Sequence, residues 1–520
     1  MPDSRRASLL TVLLCGACFV AALTLYTREN TIPYYYHSDE PSKVNQVTGA
    51  RALNFKHPLL LMNSTRAVAW ATDVGPNKQR ASLAGRWVSA TFGALSVAGL
   101  VALAWRQRGA WAAVCVAPIV LLSHGLFTFS HFMKEDTALV VGIVATLLAA
   151  TEFLQRPTPG RAALLGAACG LALSGKYIGA VMLLPMLPLV IWASRRSGTA
   201  RTARALGGFA AGLVLVVALV NVTVFFEFDS FLAGLGYETD HATTGGGKPF
   251  ASLFSLSYVY GLASQSTWPI RILAPLYVGW VLLTFRSRRP DELLVALFPV
   301  VYLALLQSSP IKAIRYLLPI VVIAHYLAGL AVAVGVERLV PGRWRAAATA
   351  IALALVLAPQ VLQIRTHLEE FAGDSRLALY EWVKDTVPED ARILQDRYAG
   401  LPDRRWGYFT ETNALLPHPI TTRHFVGEFG DVAKMKSEGI EFVAVCGRAF
   451  SRFFEDDVKF GSDESREHFE TMRHVYTELF EEHRLVFEAG GPKIAGAPVN
   501  PIVRVFALGE DPGPAPTRRP

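Results

Sequence analysis

The chain alternates between long apolar runs and short polar segments over its first 363 residues. A helix needs about 20 apolar residues to cross the hydrocarbon core of a bilayer. The first run covers Ala7 to Tyr26, and the two runs beside Lys176 are short. The further runs lie near 86–105, 110–129, 137–154, 161–175, 177–194, 205–225, 268–285, 292–308, 316–335 and 346–363. The pattern predicts a polytopic α-helical membrane protein with about eleven spans.

Arginines divide the connecting segments into two classes, because they occur in alternate segments, as is typical of cytoplasmic loops. They are Arg5, Arg6, Arg106, Arg108, Arg156, Arg161, Arg195, Arg196, Arg201, Arg204, Arg286, Arg288, Arg289, Arg338, Arg343 and Arg345. The N-terminus has the basic start of a signal peptide but no clear small-residue cleavage site, so we interpret it as an uncleaved first helix. We therefore expect a cytoplasmic N-terminus, with segments 27–85 and 226–267 and the C-terminus on the other side.

From about residue 364 the chain becomes rich in charge, which predicts a soluble extracytoplasmic α/β domain over 364–510. Ser375 to Thr386 and Glu464 to Glu482 have helical patterns. Short β-type runs begin near Ala391, Ile440, Arg484 and Ile502. The composition of 511–520 predicts a disordered tail. Residues 1–363 form the predicted membrane domain.

The amino-acid composition supports the division into a membrane domain and a soluble domain, and the placement of its charges argues against nucleic acid as a partner. The 520 residues are 52% hydrophobic and 18% charged, with a mean hydropathy of +0.33. The net charge of +8 does not indicate nucleic acid, because the basic residues lie mostly in short loops between apolar runs. Cys15 and Cys18 form a C-x-x-C pair within an apolar run, where buried small residues are the favoured interpretation over metal or redox work.

The predicted outer segments contain nearly all of the unusual polar residues. Ionised groups beside a membrane are costly unless they are hydrated, paired or functional. An acid pair alone is equally consistent with a solvated loop, but here several segments converge on one side, which predicts a site at the membrane–water boundary. The candidates are Asp39, Glu40, Lys56, His57, His131, Lys134, Glu135, Asp136, Lys176, Glu238, His241, Lys312 and Arg315.

Three outer segments have local features of their own. Ser42 to Leu53 has the pattern of an amphipathic surface helix, and 250–267 reads as an interfacial helix or part of a span. The run of glycines at 245–247 is better interpreted as a mobile loop than as a phosphate-binding loop, because no strand precedes it. Asn63 and Asn221 begin sequons of the kind that occur often by chance.

These residue types suit a reaction with a lipid-linked phosphosugar. An inverting transfer needs a carboxylate beside the acceptor hydroxyl as base, a role that Asp39 can fill. It also needs cations, or a metal held by acids, on the leaving phosphate. Lys176, His57, Arg315 and Lys312 are the candidate cations. Any single one of them is more often an anchor whose charged end reaches out of the membrane.

The order of these motifs resembles the GT-C membrane glycosyltransferases, most closely the glycosyltransferase family 39 group with protein O-mannosyltransferases and aminoarabinose lipid A transferases. Asp39-Glu40 after the first helix and Phe55-Lys56-His57-Pro58 match that pattern, although Leu59 replaces a second proline. Later matches continue in the same order. They are Asp136, Gly175-Lys176, Glu238 to His241 with Gly245, and Arg315-Tyr316.

The resemblance implies a transfer of a hexosyl or pentosyl group from a polyprenyl-phosphate donor to a lipid, glycan or protein acceptor in a bacterial inner or plasma membrane. Asp39 would be the base, with Glu40 and Asp136 assisting. Lys176, His57, Arg315 and Lys312 would face the phosphate. A divalent metal remains open, with Asp39 and Asp136 as its ligands. Contacts to the acceptor or sugar would come from Lys56, His131, Glu135, Glu238 and His241.

Two other functions fit parts of the pattern. A transporter or flippase would explain charges within a membrane protein, although its charges would mark a path across the bilayer. Here the polar residues collect on one predicted face. A receptor with an external ligand domain would rest on the C-terminal domain alone.

Overall fold

The computed structural model describes residues 2–195, 198–244, 256–309, 312–410, 413–455, 458, 460, 462–492, 499–509 and 517–519. These residues divide into two units. The membrane unit contains the described parts of 1–28, 46–243 and 252–365. The C-terminal unit contains Glu29–Asn45 and the described residues from Thr366 onward. The segment that precedes and includes Asp39 therefore clusters with the C-terminal residues, and each unit is considered by itself below.

Helices make up almost all of the membrane unit and lead into the C-terminal unit. They are α1 (Pro2–Tyr26), α2 (Glu40–Val47), α3 (Leu60–Ala71), α4 (Lys78–Arg108), α5 (Ala110–Leu121), α6 (His124–Ser130), α7 (Glu135–Gln155), α8 (Pro159–Gly175), α9 (Leu183–Ser194), α10 (Thr199–Val220), α11 (Phe228–Thr244), α12 (Ser257–Ser264), α13 (Trp268–Leu283), α14 (Pro290–Ser308), α15 (Leu318–Leu339) and α16 (Arg345–Ala372).

Within the described residues, eight helices are long and apolar enough to cross a membrane, and ten if two bent pairs each form one span. The bent pairs are α5 with α6, at 54°, and α12 with α13, at 115°. The predicted number of about eleven also included the run at 161–175, whose helix α8 has only 17 residues. Many large apolar side chains on these helices are exposed, as lipid-facing surfaces require. The protein is an integral membrane protein.

Glycines allow the shortest helix–helix approaches in the membrane unit. A side chain at Gly166 of α8 would clash with the carbonyl oxygen of Phe209 on α10. A side chain at Gly212 of α10 would clash in the same way with Ala163 on α8. Small residues at such crossings let two backbones come close, which increases van der Waals contact where the surrounding lipid gives no hydrophobic driving force.

Four arginines of the alternate loops form ion pairs at one end of the helices. Arg106 and Arg161 both pair with Glu152, at 2.9 and 3.6 Å. Arg108 and Arg288 both pair with Glu292, at 2.9 and 3.8 Å. Because Glu152 follows the beginning of α7 by roughly 24 Å of helix, this arginine end lies opposite the end that carries Asp136. These four arginines and Asp136 thus lie at opposite ends of one bundle.

Two predicted outer segments differ in detail from the structure. The amphipathic helix expected over 42–53 is α2, which begins at Glu40 and ends at Val47. It ends early because Gly49 follows with φ +76°, a left-handed conformation that favours glycine. The segment 250–267 is described only from residue 256, where α12 begins the second bent pair. The glycine run at 245–247 lies outside the described residues.

The C-terminal unit is built on a six-stranded sheet. Its strands are β1 (Ile393–Asp396), β2 (Ile420–Arg423), β3 (Phe442–Cys446), β4 (Arg484–Ala489), β5 (Val503–Ala507) and β6 (Thr517–Arg519). Their order is β2-β1-β3-β5-β4-β6, with β1 parallel to β2 and β3, and with β5 antiparallel to β3 and β4. Its helices are α17 (Ser375–Thr386), α18 (Val432–Ser437), α19 (Gly447–Phe450) and α20 (Asp463–Glu482).

Alternating side chains give this sheet two apolar faces. Ile393 joins the core that contains α17, whereas Leu394 joins the core that contains α18 and α20. Strands buried on both faces are typical of sheets that carry helices on each side. The predicted helix Ser375–Thr386 agrees with α17 to the residue. The sequence analysis missed β2, and the described part of the 511–520 tail is β6, paired with β4.

The close approach of α8 and α10 yields a test of the fold. We expect Gly212→Val to lower the melting temperature of the detergent-solubilised protein by several degrees, because the new methyl groups separate the two helices. Gly207→Val on the same helix is the control, since a Cβ there has nothing within 4 Å. Equal melting temperatures for the two variants would contradict this account of the packing.

Candidate active site

The segment from Phe55 to Leu59 is held in an unusual backbone conformation. Phe55 has a φ of +46°, a value that bulky residues rarely adopt. Its carbonyl accepts a 2.9 Å hydrogen bond from the hydroxyl of Tyr177, and its ring packs edge-on against Phe231 of α11. A side chain at Gly234 would approach the carbonyl oxygen of Asn54 to 2.5 Å. Helix α11 therefore packs directly on this segment and fixes its course.

Asn221 attaches the same segment to two helices. Its Oδ1 accepts the backbone N–H of Leu59 at 2.9 Å, and its Nδ2 donates to Ser174 Oγ at 3.0 Å. Asn63 Nδ2 donates to the carbonyl of Val220 at 2.8 Å. Both sequon asparagines thus use their amides inside the membrane unit, which favours a structural role for them over glycosylation.

Asp136 and Lys176 form a buried ion pair at the opposite end of the bundle from the arginines. Lys176 Nζ donates to Asp136 Oδ1 at 2.7 Å, with side-chain exposures of 12% and 2%. Asp136 lies in the first turn of α7, where the helix dipole favours a carboxylate. Lys176 directly follows α8 and precedes the short 3₁₀ helix Tyr177–Met182. The second oxygen, Oδ2, is buried and accepts no hydrogen bond from the described residues.

Further cations surround this pair. Lys176 Nζ lies 4.6 Å from the centre of the Tyr316 ring, and Arg315 Cζ lies 5.3 Å from the centre of the same ring. Both distances fall within the range of cation–π attraction. The charges of Lys134 and Arg315 also act on Asp136. Three positive groups therefore act on Asp136, as expected of a site that receives an anion.

His57 and Glu135 form a second group of charged residues in the membrane unit. His57 Nε2 and Lys134 Nζ each lie 4.0 Å from Glu135 Oε2. Glu135 immediately precedes Asp136 at the beginning of α7. The two predicted motifs, Phe55 to Leu59 and Glu135-Asp136, are therefore brought together by the fold.

Helix α11 adds aromatic and acidic contacts. Lys56 Nζ lies 3.2 Å from the centre of the Tyr237 ring. Glu238 is near enough to Tyr177 to interact with it electrostatically. The side chain of His241 lies outside the described part of the chain, so its predicted contact with sugar or acceptor stays a prediction.

Two predicted site residues have contacts that favour structural roles. His131 places Nδ1 at 2.8 Å from the carbonyl of Phe127 and Nε2 at 2.7 Å from that of Arg28. Burial lowers the pKa of His131 to about 4, so the ring is neutral at pH 7. Lys312 Nζ donates to the carbonyls of Gln307 and Ser309 at 2.6 Å, next to the end of α14. Burial lowers the pKa of Lys312.

An apolar groove of about 450 Å³ runs beside the Phe55 to Leu59 segment. Its walls come from that segment, α8, α10 and α11. The lining residues are Phe55, Pro58, Leu59, Leu173, Tyr177, Leu213, Val214, Val217, Ala218, Asn221, Val224, Phe225, Phe231 and Leu235. Tyr177 adjoins Lys176 in sequence, and His57 lies between two wall residues, so charged groups flank a hydrocarbon surface. Such a groove suits a long apolar ligand with an anionic end.

The acid pair Asp39-Glu40 belongs to the C-terminal unit. Asp39 is half-buried and directly precedes α2, and its carbonyl accepts the N–H of Lys43 at 3.4 Å. Ser38 Oγ donates to Asp39 Oδ1 at 3.3 Å. Glu40 is fully buried. The position before the first turn of a helix stabilises an ionised carboxylate.

The described residues contain no ready-made set of metal ligands. No three His, Cys, Asp or Glu side chains come together there in a way that would hold an ion. Asp136 commits one oxygen to Lys176.

Comparison with known proteins tests the resemblance. Residues 76–222 match the dolichyl-phosphate-mannose-protein mannosyltransferase family. The fold is similar to that of ArnT from Cupriavidus metallidurans bound to undecaprenyl phosphate, with 15% identity over 98% of this chain and 99% of that chain and a TM-score of 0.53. The resemblance to the GT-C glycosyltransferases of the family 39-like group is confirmed. The GT-C fold is seen again in the apo oligosaccharyltransferase of Archaeoglobus fulgidus, at 11% identity over 93% of this chain and 80% of that chain, with a TM-score of 0.51.

No curated protein sequence matches this chain. The two structural similarities therefore establish its architecture. They leave the roles of single residues to the geometry described above.

Sequence reasoning missed the aromatic partners of the cations in the candidate site. Tyr316 contacts Lys176 and Arg315, and Tyr237 contacts Lys56. The adjacency of Arg315 and Tyr316 was a signal for the first contact, since the two occur together in the matched motif. Nothing in the sequence indicated the second, because Tyr237 lies on a different outer segment.

The buried ion pair yields a test of stability. We expect Lys176→Met to destabilise the protein by about 3–5 kcal/mol, because it leaves a buried carboxylate without its partner. Asp136→Asn combined with Lys176→Met should recover much of that loss. Melting temperature in detergent is the measurement, and Arg106→Met is the control, because Arg106 is half-exposed and Glu152 retains Arg161. A Lys176→Met variant that melts with the wild type would show that the pair is dispensable.

Proposed function

We propose that this protein transfers a hexosyl or pentosyl group from a polyprenyl-phosphate donor to a hydroxyl group of a lipid, glycan or protein acceptor. The reaction takes place on the extracytoplasmic face of a bacterial inner or plasma membrane, with the N-terminus in the cytoplasm. The observation that carries the proposal is the apolar groove next to the Asp136–Lys176 pair and His57. A groove for hydrocarbon and cations for a phosphate are the two features that such a donor requires.

The donor class has independent support. ArnT, which has a similar fold over the whole chain, binds undecaprenyl phosphate. The family that matches residues 76–222 uses dolichyl-phosphate mannose by its name. In this chain the isoprenoid would occupy the groove, and its phosphate would approach Lys176, His57 and Arg315. The approach of Lys312 to the phosphate stays a prediction. Its contact with a main-chain carbonyl favours a role in capping the end of α14.

The proposed transfer reaction follows from the charges that the candidate residues carry. Asp39 takes the proton of the acceptor hydroxyl while that oxygen bonds to the anomeric carbon of the sugar. The bond from this carbon to the phosphate oxygen breaks on the opposite face, and polyprenyl phosphate leaves with the electron pair. Inversion at the anomeric carbon results from this single displacement. Cations stabilise the charge that develops on the phosphate, with Lys176 as the first candidate.

The acidic residues have distinct proposed roles. Glu40 supports Asp39, to which it is adjacent. Asp136 holds Lys176 in place through the 2.7 Å hydrogen bond and helps to position the acceptor. Lys56, Glu135 and Glu238 remain proposed contacts to sugar or acceptor.

Loss of the base tests the proposal directly. We expect Asp39→Asn to abolish sugar transfer from labelled polyprenyl-phosphate sugar while expression, membrane insertion and melting temperature stay near wild type. Asp73→Asn is the control, because Asp73 is an exposed acid of the same predicted outer segment. Retained transfer by Asp39→Asn would defeat the proposal. Solute uptake by proteoliposomes without any acceptor would favour a transporter instead.

A further inference from the structure

A buried ion pair in the C-terminal unit fixes one arginine in a single orientation. Arg376 Nε and Nη2 donate to the two oxygens of Asp374 at 2.8 and 2.7 Å. Both side chains are fully buried. The carboxylate also accepts the backbone N–H groups of Arg376 and Asn500, at 3.0 and 2.9 Å. Such a fork of parallel hydrogen bonds sets direction as well as energy.

The remaining nitrogen of that guanidinium reaches the aromatic run before Asp39. Arg376 Nη1 donates to the carbonyl of Tyr36 at 2.7 Å, and Cζ lies 3.8 Å from the centre of the Tyr36 ring. Gly400, with φ +80°, packs against both groups. A Cβ there would lie 3.1 Å from Arg376 Cδ and 3.1 Å from Tyr36 Cε1. Arg448 Nη1 lies 3.4 Å from the same carbonyl.

The two preceding tyrosines are attached separately to the same unit. Asn413 Nδ2 donates to the hydroxyl of Tyr35 at 2.6 Å, and the Tyr35 ring stacks on Tyr408 with centroids 5.3 Å apart. The hydroxyl of Tyr34 donates to the carbonyl of Gly407. Three consecutive residues are therefore each held by a different part of the sequence after residue 366.

Two turns connect this attachment to Asp39. Tyr36 N donates to the carbonyl of Pro33, and Glu40 N donates to that of His37, both at 3.1 Å. Asp39 N lies 3.3 Å from His37 Nδ1. No glycine lies between Tyr36 and Asp39. A shift of the Tyr36 carbonyl must therefore pass along a short, hydrogen-bonded stretch of backbone to Asp39.

We propose, on the basis of the function proposed above, that Arg376 is a positioning residue for the Asp39 carboxylate and that the C-terminal unit sets the geometry of the base. Arg376 does not touch substrate in this account. It acts through the backbone of Tyr36, and Asp374 and Gly400 keep it in the orientation that this requires.

The choice of a buried arginine supports positioning over simple packing. Replacing a buried ion pair by well-packed apolar residues is often neutral or stabilising, so stability alone gives little reason for this pair. The five N–H donors of a guanidinium point in fixed directions. This gives a reason for an arginine at this position, because it holds the Tyr36 carbonyl in one place. Displacing a catalytic group by about 1 Å can lower a rate by about a hundredfold.

Arg376→Lys tests the inference in the full-length protein. Lysine keeps the charge opposite Asp374 but loses the fork and the contact with the Tyr36 ring. We expect kcat for sugar transfer to fall by roughly ten- to a hundredfold while the dissociation constant of the polyprenyl-phosphate donor stays within twofold of wild type. Arg392→Lys is the control, because Arg392 is exposed and donates to the carbonyl of Glu438 in the same unit.

A double-variant cycle separates positioning from general damage. On the Asp39→Glu background, where the carboxylate is already displaced by one methylene group, Arg376→Lys should reduce the remaining rate by a much smaller factor than in the wild type, because Arg376 acts only through the position of that carboxylate. Loss of the same factor on both backgrounds would overturn the inference. Transfer that survives Asp39→Asn would instead defeat the proposed function itself, so the two failures are distinguishable.

A second variant guards against misfolding of Arg376→Lys. Tyr34→Phe combined with Tyr35→Phe removes two hydroxyl contacts and keeps all rings in place. We expect a several-fold lower kcat with an unchanged donor dissociation constant and a melting temperature near that of wild type. If this variant retains the wild-type kcat, the attachment of the tyrosine run does not position Asp39 and the inference is wrong.

Discussion

The ion pair between Asp136 and Lys176 is the interaction on which the candidate site depends. A lone charge buried at a helix end would be strongly destabilising, and each partner removes that penalty for the other. The pair also fixes Lys176 at the point where α8 ends and the groove wall at Tyr177 begins. A lysine held in this way can offer a proton donor to a phosphate without being free to move away.

Close helix packing makes this arrangement possible. Gly142 of α7 lies so near Ala172 that any side chain there would clash, which brings the end of α8 to the beginning of α7. At the other end of the bundle, arginines and carboxylates pair with one another. The helices therefore carry two different charged ends. One end carries arginine–carboxylate pairs, and the other carries Lys134, Lys176 and Arg315 with the carboxylates of Glu135 and Asp136.

The sequence predicted the architecture well because its signals are strong and local. Apolar runs, alternate arginines and the pattern of Ser375–Thr386 each depend on neighbouring residues alone. Strand β2 was missed because its four residues, Ile420–Arg423, show little alternation, and it lies at the edge of the sheet beside β1.

The residue types of the site could be predicted from the sequence, but the contacts between those residues were harder to predict. Lys176 was expected to face the phosphate and Asp136 to assist Asp39, yet nothing in the sequence indicated that Lys176 and Asp136 pair directly. Lys312 was expected to face the donor, but carbonyls near the end of α14 occupy its ammonium group. The attachment of Tyr36 by Arg376 spans 340 residues of chain, a separation that no local pattern reports.

The central claim is that Lys176 receives the phosphate of a polyprenyl lipid. The most direct test compares Asp136→Asn with Asp136→Asn combined with Lys176→Gln, so that neither variant leaves an unpaired buried carboxylate. Equilibrium binding of polyprenyl phosphate and of the uncharged polyprenol is measured for both. We predict that the second variant binds polyprenyl phosphate at least about tenfold more weakly and polyprenol equally well. Equal affinity of both variants for polyprenyl phosphate would contradict the account.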